Sequence, residues 1–363
     1  MSATSPRLTI VGYYGLGNCG DEAVLAGLLR GLREAIPEAR ITVLSANPRV
    51  TRGLHNVRSV HRVRGLLQSL MFCDALIAGG GSLLQDVTSQ RSLLYYLFVL
   101  KTALAFGKKV VLLGQGVGPL VRRRSRQAVA EVLNRVSAIA LRDSQSRSLL
   151  KELGVTKTRV EVCADLAFLL EPPSFEVAQS VIGKGERCLA LSLRPWNMQL
   201  NDEEDWRRAA RQASVLCEEL GRATRLTVRL VPMQEPWDRI LAEHAAMLAV
   251  WPTSVEPVRP PTETVAGFAA YRVVVGMRLH ALVFAALADV PSVALSYDPK
   301  VSAFMETVGR SEWTLPHDAP PQQVAEVARH AYSYAEPYPP GRIEWQRRLA
   351  RRNITILREV LGM

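Results

Sequence analysis

The chain has 363 residues, 48% of them apolar and 22% charged, an ordinary globular composition that excludes a disordered, collagenous or low-complexity polymer. That length accommodates two domains of about 100 to 200 residues, each with its own core. Forty-five Lys and Arg against 34 Asp and Glu give a formal charge of +11, which favours anionic partners; with no basic stripe interleaved with aromatics, nucleic acid is the weaker candidate beside phosphorylated metabolites and an acidic membrane surface.

The first residues, MSATSPRLTIVGYYG, run straight into a glycine-rich turn without a charged n-region or small-residue cleavage site, so a cytoplasmic protein is expected. The longest apolar stretch, Leu93 to Phe106, is broken by Lys101 and Thr102, which leaves only peripheral membrane contact. Strand-length apolar runs then alternate with helical patterns: Leu8–Tyr13, Ile41–Leu44, Ala75–Ala78, Val110–Leu113, Ala138–Leu141 and Val160–Cys163. Continuous rather than alternating apolar strands belong to a sheet covered on both faces, which predicts a parallel, doubly wound α/β domain over residues 1–170.

Residues 171–186, EPPSFEVAQSVIGKGE, break the periodicity with paired prolines and two glycines, as a linker does. A second α/β series follows over 187–336, with strands Cys188–Leu193, Leu226–Val231, Val273–Val275 and Ser292–Leu295. Helices are predicted at Asp202–Leu220, Trp237–Ala249, Thr262–Ala270 and Leu279–Leu287. The expected fold class is therefore α/β, two Rossmann-like domains facing a cleft, with ligands at the carboxyl ends of the strands. Residues 337–363 form a basic helix whose apolar face would carry Trp345, Leu349, Ile356 and Leu357. Docking on a domain is favoured over a membrane-surface role. Cys19, Cys73, Cys163, Cys188 and Cys217 are scattered without C-x-x-C spacing; they read as reduced thiols, and no metal site is expected.

The first strand ends in Gly15-Leu16-Gly17-Asn18-Cys19-Gly20, a formal G-x-G-x-x-G. The acid that would hold a ribose is missing at Ser45-Ala46-Asn47, and Asp21 and Glu22 stand where a pyrophosphate would lie, so NAD is not expected. Asp21 and Glu22 either complement the helix dipole, or Asp21 binds or deprotonates a hydroxyl. Two further strand ends are glycine-rich, Gly79-Gly80-Gly81-Ser82-Leu83-Leu84-Gln85-Asp86 and Gly114-Gln115-Gly116-Val117-Gly118-Pro119. Three such segments on one rim point to a polar ligand, although each alone is read equally well as a tight turn. Arg142 follows another strand and suits a carboxylate or phosphate, or else pairs with Asp143. In the second domain Gly276-Met277-Arg278-Leu279-His280 places a histidine at a helix N-terminus, where the dipole disfavours imidazolium and a chemical role explains the choice. Lys300, after Ser296-Tyr297-Asp298-Pro299, brings another cation to that rim.

The segments GYYGLGNCGDEAVL, GGGSLLQDVTSQRSLLYYL, GQGVGP, LRDSQS, GMRLHALVFAA and SYDPKVSAF, in this order from Gly12 to Phe304, resemble the polysaccharide pyruvyltransferases, specifically the S-layer-associated bacterial type. The resemblance implies a GT-B-like fold and transfer of pyruvate from phosphoenolpyruvate onto a sugar as a cyclic ketal. It implies His280 as the acid/base group and Arg142, Arg278, Leu279 and Lys300 as donor-binding residues. The acceptor is implied to be β-linked N-acetylmannosamine, pyruvylated at its 4- and 6-hydroxyls in a secondary cell wall polymer precursor. A lipid carrier would hold that precursor at the inner face of the cytoplasmic membrane, in keeping with the +11 charge and the basic C-terminal helix. Asn18, Gly80, Gly81, Ser82, Gln85, Asp86 and Gln115 are the expected acceptor contacts, with Asp21 as the base. No resident cofactor is expected, since phosphoenolpyruvate is itself a substrate.

Two other readings remain. A GT-B nucleotide-sugar glycosyltransferase shares the fold, but the expected crowding of Arg142, Arg278, His280 and Lys300 suits a small anionic donor better than a uridine. A non-catalytic polymer-binding or membrane-associated scaffold accounts for the charge but leaves His280 without a reason. Pro232, Gln234 and Trp237, near a second-domain strand end, either line the acceptor path or simply pack.

Overall fold

The computed structural model describes residues 5–171, 177, 180, 187–195 and 202–363. Its first sheet comprises β1 (Arg7–Val11), β2 (Arg40–Ser45), β3 (Arg58–His61), β4 (Ala75–Leu84), β5 (Lys109–Val117), β6 (Ala138–Leu141) and β7 (Val160–Val162). These run parallel in the order β3-β2-β1-β4-β5-β6-β7. The second sheet holds β8 (Cys188–Ser192), β9 (Thr227–Leu230), β10 (Thr253–Val255), β11 (Val274–Gly276), β12 (Ser292–Ser296) and β13 (Thr314–Pro316). Its order, β10-β9-β8-β11-β12-β13, repeats the same doubly wound, parallel plan. Both sheets are therefore Rossmann-like, as the uninterrupted apolar runs predict.

Three strands lie outside those predictions, β3, β10 and β13. All are sheet edges of three or four residues, and an edge strand lacks the apolar run that marks a buried one. Two others are longer than predicted. β4 continues through Gly79–Leu84 and β5 through Gly114–Val117, so these glycine-rich segments extend strands instead of forming turns. Glycine is a poor strand former, which hides the extension in the sequence; the register between them shifts between Gly81 and Leu84.

The chain divides into two units. The first is Met1–Leu16, Asp21–Leu170 and Glu344–Met363; the second is Gly17–Gly20 and Glu171–Ile343. Most of the expected linker, 171–186, lies outside the described residues. In the first unit one core joins β1, β4, β5 and β6 to helices Leu66–Phe72, Gln90–Ala105, Arg123–Leu133 and Ser144–Glu152.

The C-terminal helix, Arg342–Leu361, belongs to the first unit from Glu344 onward. It buries Gln346, Ala350, Asn353, Ile354, Ile356 and Leu357, whereas Trp345 is 47% exposed. The packed face is thus rotated from the expected one, taking in two polar residues, Gln346 and Asn353. Asn353 accepts from the Gly114 N–H at 2.7 Å and donates to the Ala164 carbonyl at 3.2 Å. Arg352 bridges Glu161 and Glu359, and Arg159 pairs with the same two acids. The bonds from Arg352 and Arg159 hold the Glu161 carboxyl below its ordinary value. Of the helix's six arginines Arg352 joins this network, while Arg347 and Arg351 pair with Glu344.

All five cysteines are free, and Cys73, Cys163, Cys188 and Cys217 are buried. Burial pushes the Cys163 and Cys217 thiols up to about 12. Among the described residues no helix is long and apolar enough to cross a membrane.

Candidate active site

The carboxyl ends of β4, β5 and β6 in the first unit assemble one polar cluster. Gly80 and Gly81 sit at φ +70° and +76°, and a Cβ on Gly81 would lie 2.8 Å from Asp21 Oδ1. Only glycine therefore allows Asp21, in the first turn of the helix Cys19–Ala35, to come this close to the strand. Gln115 is fully buried and donates from Nε2 to the Gly80 carbonyl at 2.5 Å. Tyr14, also buried, donates its hydroxyl to the Gly79 carbonyl. Burial, reinforced by the charges of Asp21 and Glu22, pushes that phenol well above its ordinary value, so it remains a donor.

Arg142 crosses the same cluster. Its Nη1 meets Asp165 Oδ2 at 2.8 Å and its Nη2 donates to Ser82 Oγ at 2.9 Å. A Cβ on Gly116 would stand 3.0 Å from Ser82 Oγ and 3.1 Å from Arg142 Nε, so Gly116 leaves room for the guanidinium. Burial alone would lower this guanidinium, but the charges of Asp165, Asp143 and Asp21 hold it above its ordinary value. The partner weighed for Arg142 from sequence, Asp143, instead caps the following helix through the Ser146 N–H. Asp165 lies 23 residues from Arg142, and no local spacing marks it.

The remaining expected acceptor contacts in this unit shape loops. Gln85 Oε1 accepts from Val87 and Thr88 N–H at 3.0 and 2.9 Å. Asp86 is buried, and its carboxylate accepts from Val121 and Arg122 N–H at 2.8 and 2.9 Å. Glu22, beside Asp21, accepts from the Gly15 N–H and meets His55 Nε2, each at 2.7 Å. It anchors the start of the first glycine-rich segment, a role beyond the helix dipole.

Asn18, expected on the acceptor side of the first domain, belongs with Gly17–Gly20 to the second unit. The Cys19 N–H donates to Met233 O, Glu235 N–H donates to Gly17 O, and Asn18 bridges Gln234. This pairing, invisible in the local pattern, also gives Gln234 its place. Trp237, half exposed, stacks on Trp206 with ring centroids 6.3 Å apart.

His280 is the second residue of the helix Leu279–Leu287. The backbone of Gly20 lies against its ring, so that a Cβ there would be 2.1 Å from Nδ1. Leu279 opens the helix, whose first N–H groups lack acceptors within it. Arg278 precedes it and pairs two-pronged with Asp238, Nε to Oδ2 at 2.8 Å and Nη2 to Oδ1 at 2.5 Å. Asp238 is buried and also accepts from Met233 and Gln234 N–H. At the end of β12, Lys300 Nζ meets Asp298 Oδ2 at 3.0 Å. Beyond β8, Arg194 lies over the Tyr297 ring at 4.6 Å and donates to its hydroxyl at 2.8 Å. Since β11 runs between β8 and β12, three adjacent strand ends each present a cation, Arg194, Arg278 and Lys300, around the histidine's helix. Arg194 was open to the rule that ligands sit just past strand ends; Asp238, forty residues from Arg278, was not.

The second unit thus groups Arg278, Leu279, His280 and Lys300, while Arg142 stands in the first unit with Asp21, Gly80, Gly81, Ser82 and Gln115. A cation-rich helix N-terminus suits a small dianion, and a strand-end cluster of amide, hydroxyl and carboxylate suits a polyol. Among the described residues no group of three or more His, Cys, Asp or Glu is arranged to hold a metal.

A family model for polysaccharide pyruvyl transferases matches residues 18–299. The chain is 25% identical over 207 residues to the amylovoran biosynthesis protein AmsJ of Erwinia amylovora, an alignment covering 45% of this chain and 49% of that one. The chain therefore spans about half the length of the curated relative it matches. Among solved structures, UDP-GlcNAc 2-epimerase from Methanocaldococcus jannaschii superposes with a TM-score of 0.67 at 11% identity, covering 97% of this chain and 99% of that one. The Neisseria meningitidis UDP-GlcNAc 2-epimerase bound to UDP-GlcNAc gives 0.65 at 11%, covering 99% and 100%. Anabaena Alr3699/HepE in complex with UDP-glucose gives 0.61 at 13%, covering 98% of each chain. At such identities the likeness establishes a GT-B-like fold and nothing about substrate.

Proposed function

The chain belongs to the polysaccharide pyruvyl transferase family, and we propose that it transfers pyruvate from phosphoenolpyruvate to a sugar of a lipid-linked cell envelope precursor. The observation that carries this reading is the set of three cations, Arg194, Arg278 and Lys300, at adjacent strand ends around the helix that begins with Leu279 and His280. A donor bearing a carboxylate and a phosphate needs several fixed cations, and two-pronged guanidinium contacts suit both groups.

In the proposed reaction a proton is delivered to the methylene carbon of phosphoenolpyruvate, making a methyl group and an oxocarbenium-like centre. One sugar hydroxyl adds to that centre and loses its proton. The carbon–oxygen bond to phosphate then breaks, and a second hydroxyl adds, losing its proton and closing the ketal. Of the two hydroxyl protons, one balances that given to carbon and the other leaves with phosphate. His280 is the acid/base group, Arg278 and Lys300 hold the donor, and Arg194 joins them. The acceptor lies along the first unit's cluster, with Asp21 as the base at its hydroxyl. Arg142, held by Asp165 and Ser82, keeps that strand end in place.

The acceptor we assign is β-linked N-acetylmannosamine, ketalated at its 4- and 6-hydroxyls, in a secondary cell wall polymer that serves S-layer anchoring. The name of the Erwinia relative favours a second acceptor, an oligosaccharide of amylovoran. Purified protein is incubated with phosphoenolpyruvate and each acceptor, and phosphate and product mass are followed together. A mass gain of pyruvate less water, with phosphate released only when acceptor is present, is expected. Binding of UDP but not phosphoenolpyruvate overturns the reading in favour of a nucleotide-sugar enzyme, the class to which the UDP-sugar-bound fold neighbours point.

A further inference from the structure

The outer surface of the first unit's helical layer has a composition that the core does not explain. Nine of the 21 exposed large apolar side chains among the described residues fall between Val63 and Val121. The exposed phenylalanines among the described residues, Phe72, Phe98 and Phe106, are all here. On the helix Gln90–Ala105 the solvent face reads Arg91, Leu94, Phe98 and Lys101, a three-four-three spacing that aligns them in one stripe. Leu94 and Phe98 are 57% and 54% exposed. On the neighbouring helix Leu66–Phe72, Leu67 and Met71 are spaced by four and each is 54% exposed. The two helices pack together, and the loop before the shorter one is fixed to the longer by Arg62 over the Tyr95 ring and by Tyr95 Oη donating to Arg62 O.

The charges around this apolar surface are one-sided. From Val57 to Leu133 the chain has eleven Lys and Arg and three acids, Asp74, Asp86 and Glu131. Each acid is engaged, Asp74 by Arg7, Asp86 by backbone N–H groups and Arg122, and Glu131 by Lys101. Crossover helices run against their strands, so their N-terminal ends lie at the sheet's carboxyl edge. Arg64, Arg91, Val121, Arg123 and Arg124 cluster at those ends, all exposed.

We propose that this face of the first unit docks on an anionic lipid bilayer. Exposed Leu, Met and Phe enter the headgroup and acyl boundary while the flanking Arg and Lys meet lipid phosphates. Leu67, Met71, Leu94 and Phe98 leave large apolar side chains uncovered on two helices that pack together, a grouping that marks an interaction surface, and the shortage of free acids removes the repulsion an anionic surface would otherwise meet. The inference deepens the reading of a lipid-linked acceptor: the helix bearing Leu94 and Phe98 is the next element after β4, whose carboxyl end carries Gly80, Gly81 and Ser82 of the proposed sugar cluster. Phe98 stands nine residues beyond the cap at Ser89, about 13 Å along the helix, so the sugar cluster would lie at the membrane margin.

The test is co-sedimentation of the full chain with vesicles of phosphatidylcholine alone or with about 30% phosphatidylglycerol. Binding to the anionic vesicles, weakened by salt, is expected. The double variant Leu94→Ser, Phe98→Ser should bind at least about tenfold less, with its unfolding midpoint kept. Arg91→Gln with Arg123→Gln should weaken binding and flatten its salt dependence, and Met247→Ser with Val250→Ser, on the second unit, should bind as wild type. Vesicle binding that ignores the Leu94 and Phe98 changes, or none at low salt, overturns the proposal. So does concentration-dependent self-association abolished by the same double variant without vesicle binding, which assigns the face to a second copy. The readout uses neither donor nor acceptor, so its failure leaves the pyruvyl transfer reading untouched, and failure of transfer leaves this one untouched.

Discussion

Arg278 and Asp238 form a two-pronged ion pair across forty residues, and Asp238 in turn accepts the N–H groups of Met233 and Gln234, next to the residues that hold Gly17–Gly20. One buried carboxylate therefore positions both the proposed donor arginine and the loop beside His280. Asp238→Asn keeps the shape and removes the charge. Breaking a pair of this kind costs about 3 kcal/mol, read as a lower urea midpoint. The KM for phosphoenolpyruvate should rise at least about tenfold as Arg278 loses its orientation. An unchanged KM would remove Arg278 from the donor site.

Gly20→Ala places a methyl carbon 2.1 Å from His280 Nδ1 and 2.4 Å from Cγ. The backbone tolerates alanine there, since no positive φ is needed, so the imidazole has to move. Turnover should fall on the order of 10²-fold with the unfolding midpoint nearly kept, because a misplaced acid/base group loses most of its effect. Steady-state kinetics beside thermal unfolding separate this outcome from simple misfolding.

How much of this was open to the sequence depends on range. The parallel sheets, the glycine-rich strand ends, and His280 on its helix are local signals, and β1, β6 and β11 lie where their apolar runs place them. Asp165 and Asp238 were hidden because the partner of a buried arginine is chosen by the fold and not by spacing. The pairing of Asn18 with Gln234 was hidden for the same reason. Edge strands such as β10 carry no apolar run, and glycines in β4 and β5 imitate turns. The rotated face of the C-terminal helix is hidden because Gln346 and Asn353 read as solvent residues, and the partners of Asn353, Gly114 and Ala164, lie far from it in the chain.

Asn353→Ala tests that helix. It leaves the buried Gly114 N–H and Ala164 carbonyl unanswered, at a cost of about 2–3 kcal/mol. Because Gly114 adjoins Gln115, activity should fall with stability. A variant with an unchanged urea midpoint would show that the helix does not brace β5.

Asp86 gives a pH dependence. Burial alone would raise its carboxyl, but the N–H groups of Val121 and Arg122, helped by Ser125 and the Arg122 charge, hold it below its ordinary value. A depressed folded value means that its stabilisation is complete above the unfolded value of about 4 and is lost as pH falls through the lower folded one. Asp86→Asn should therefore be less stable than wild type by a constant amount between about pH 5 and 8, with the gap closing below about pH 4. Unfolding midpoints across that range check the sign.

The most direct measurement of the central claim is transfer run in deuterium oxide, with product mass taken after back-exchange into ordinary water. Protonation of the enol carbon leaves one deuterium in the ketal methyl, and His280→Gln should abolish both product and incorporation. A product of unshifted mass, or full incorporation by the His280→Gln variant, would contradict the account.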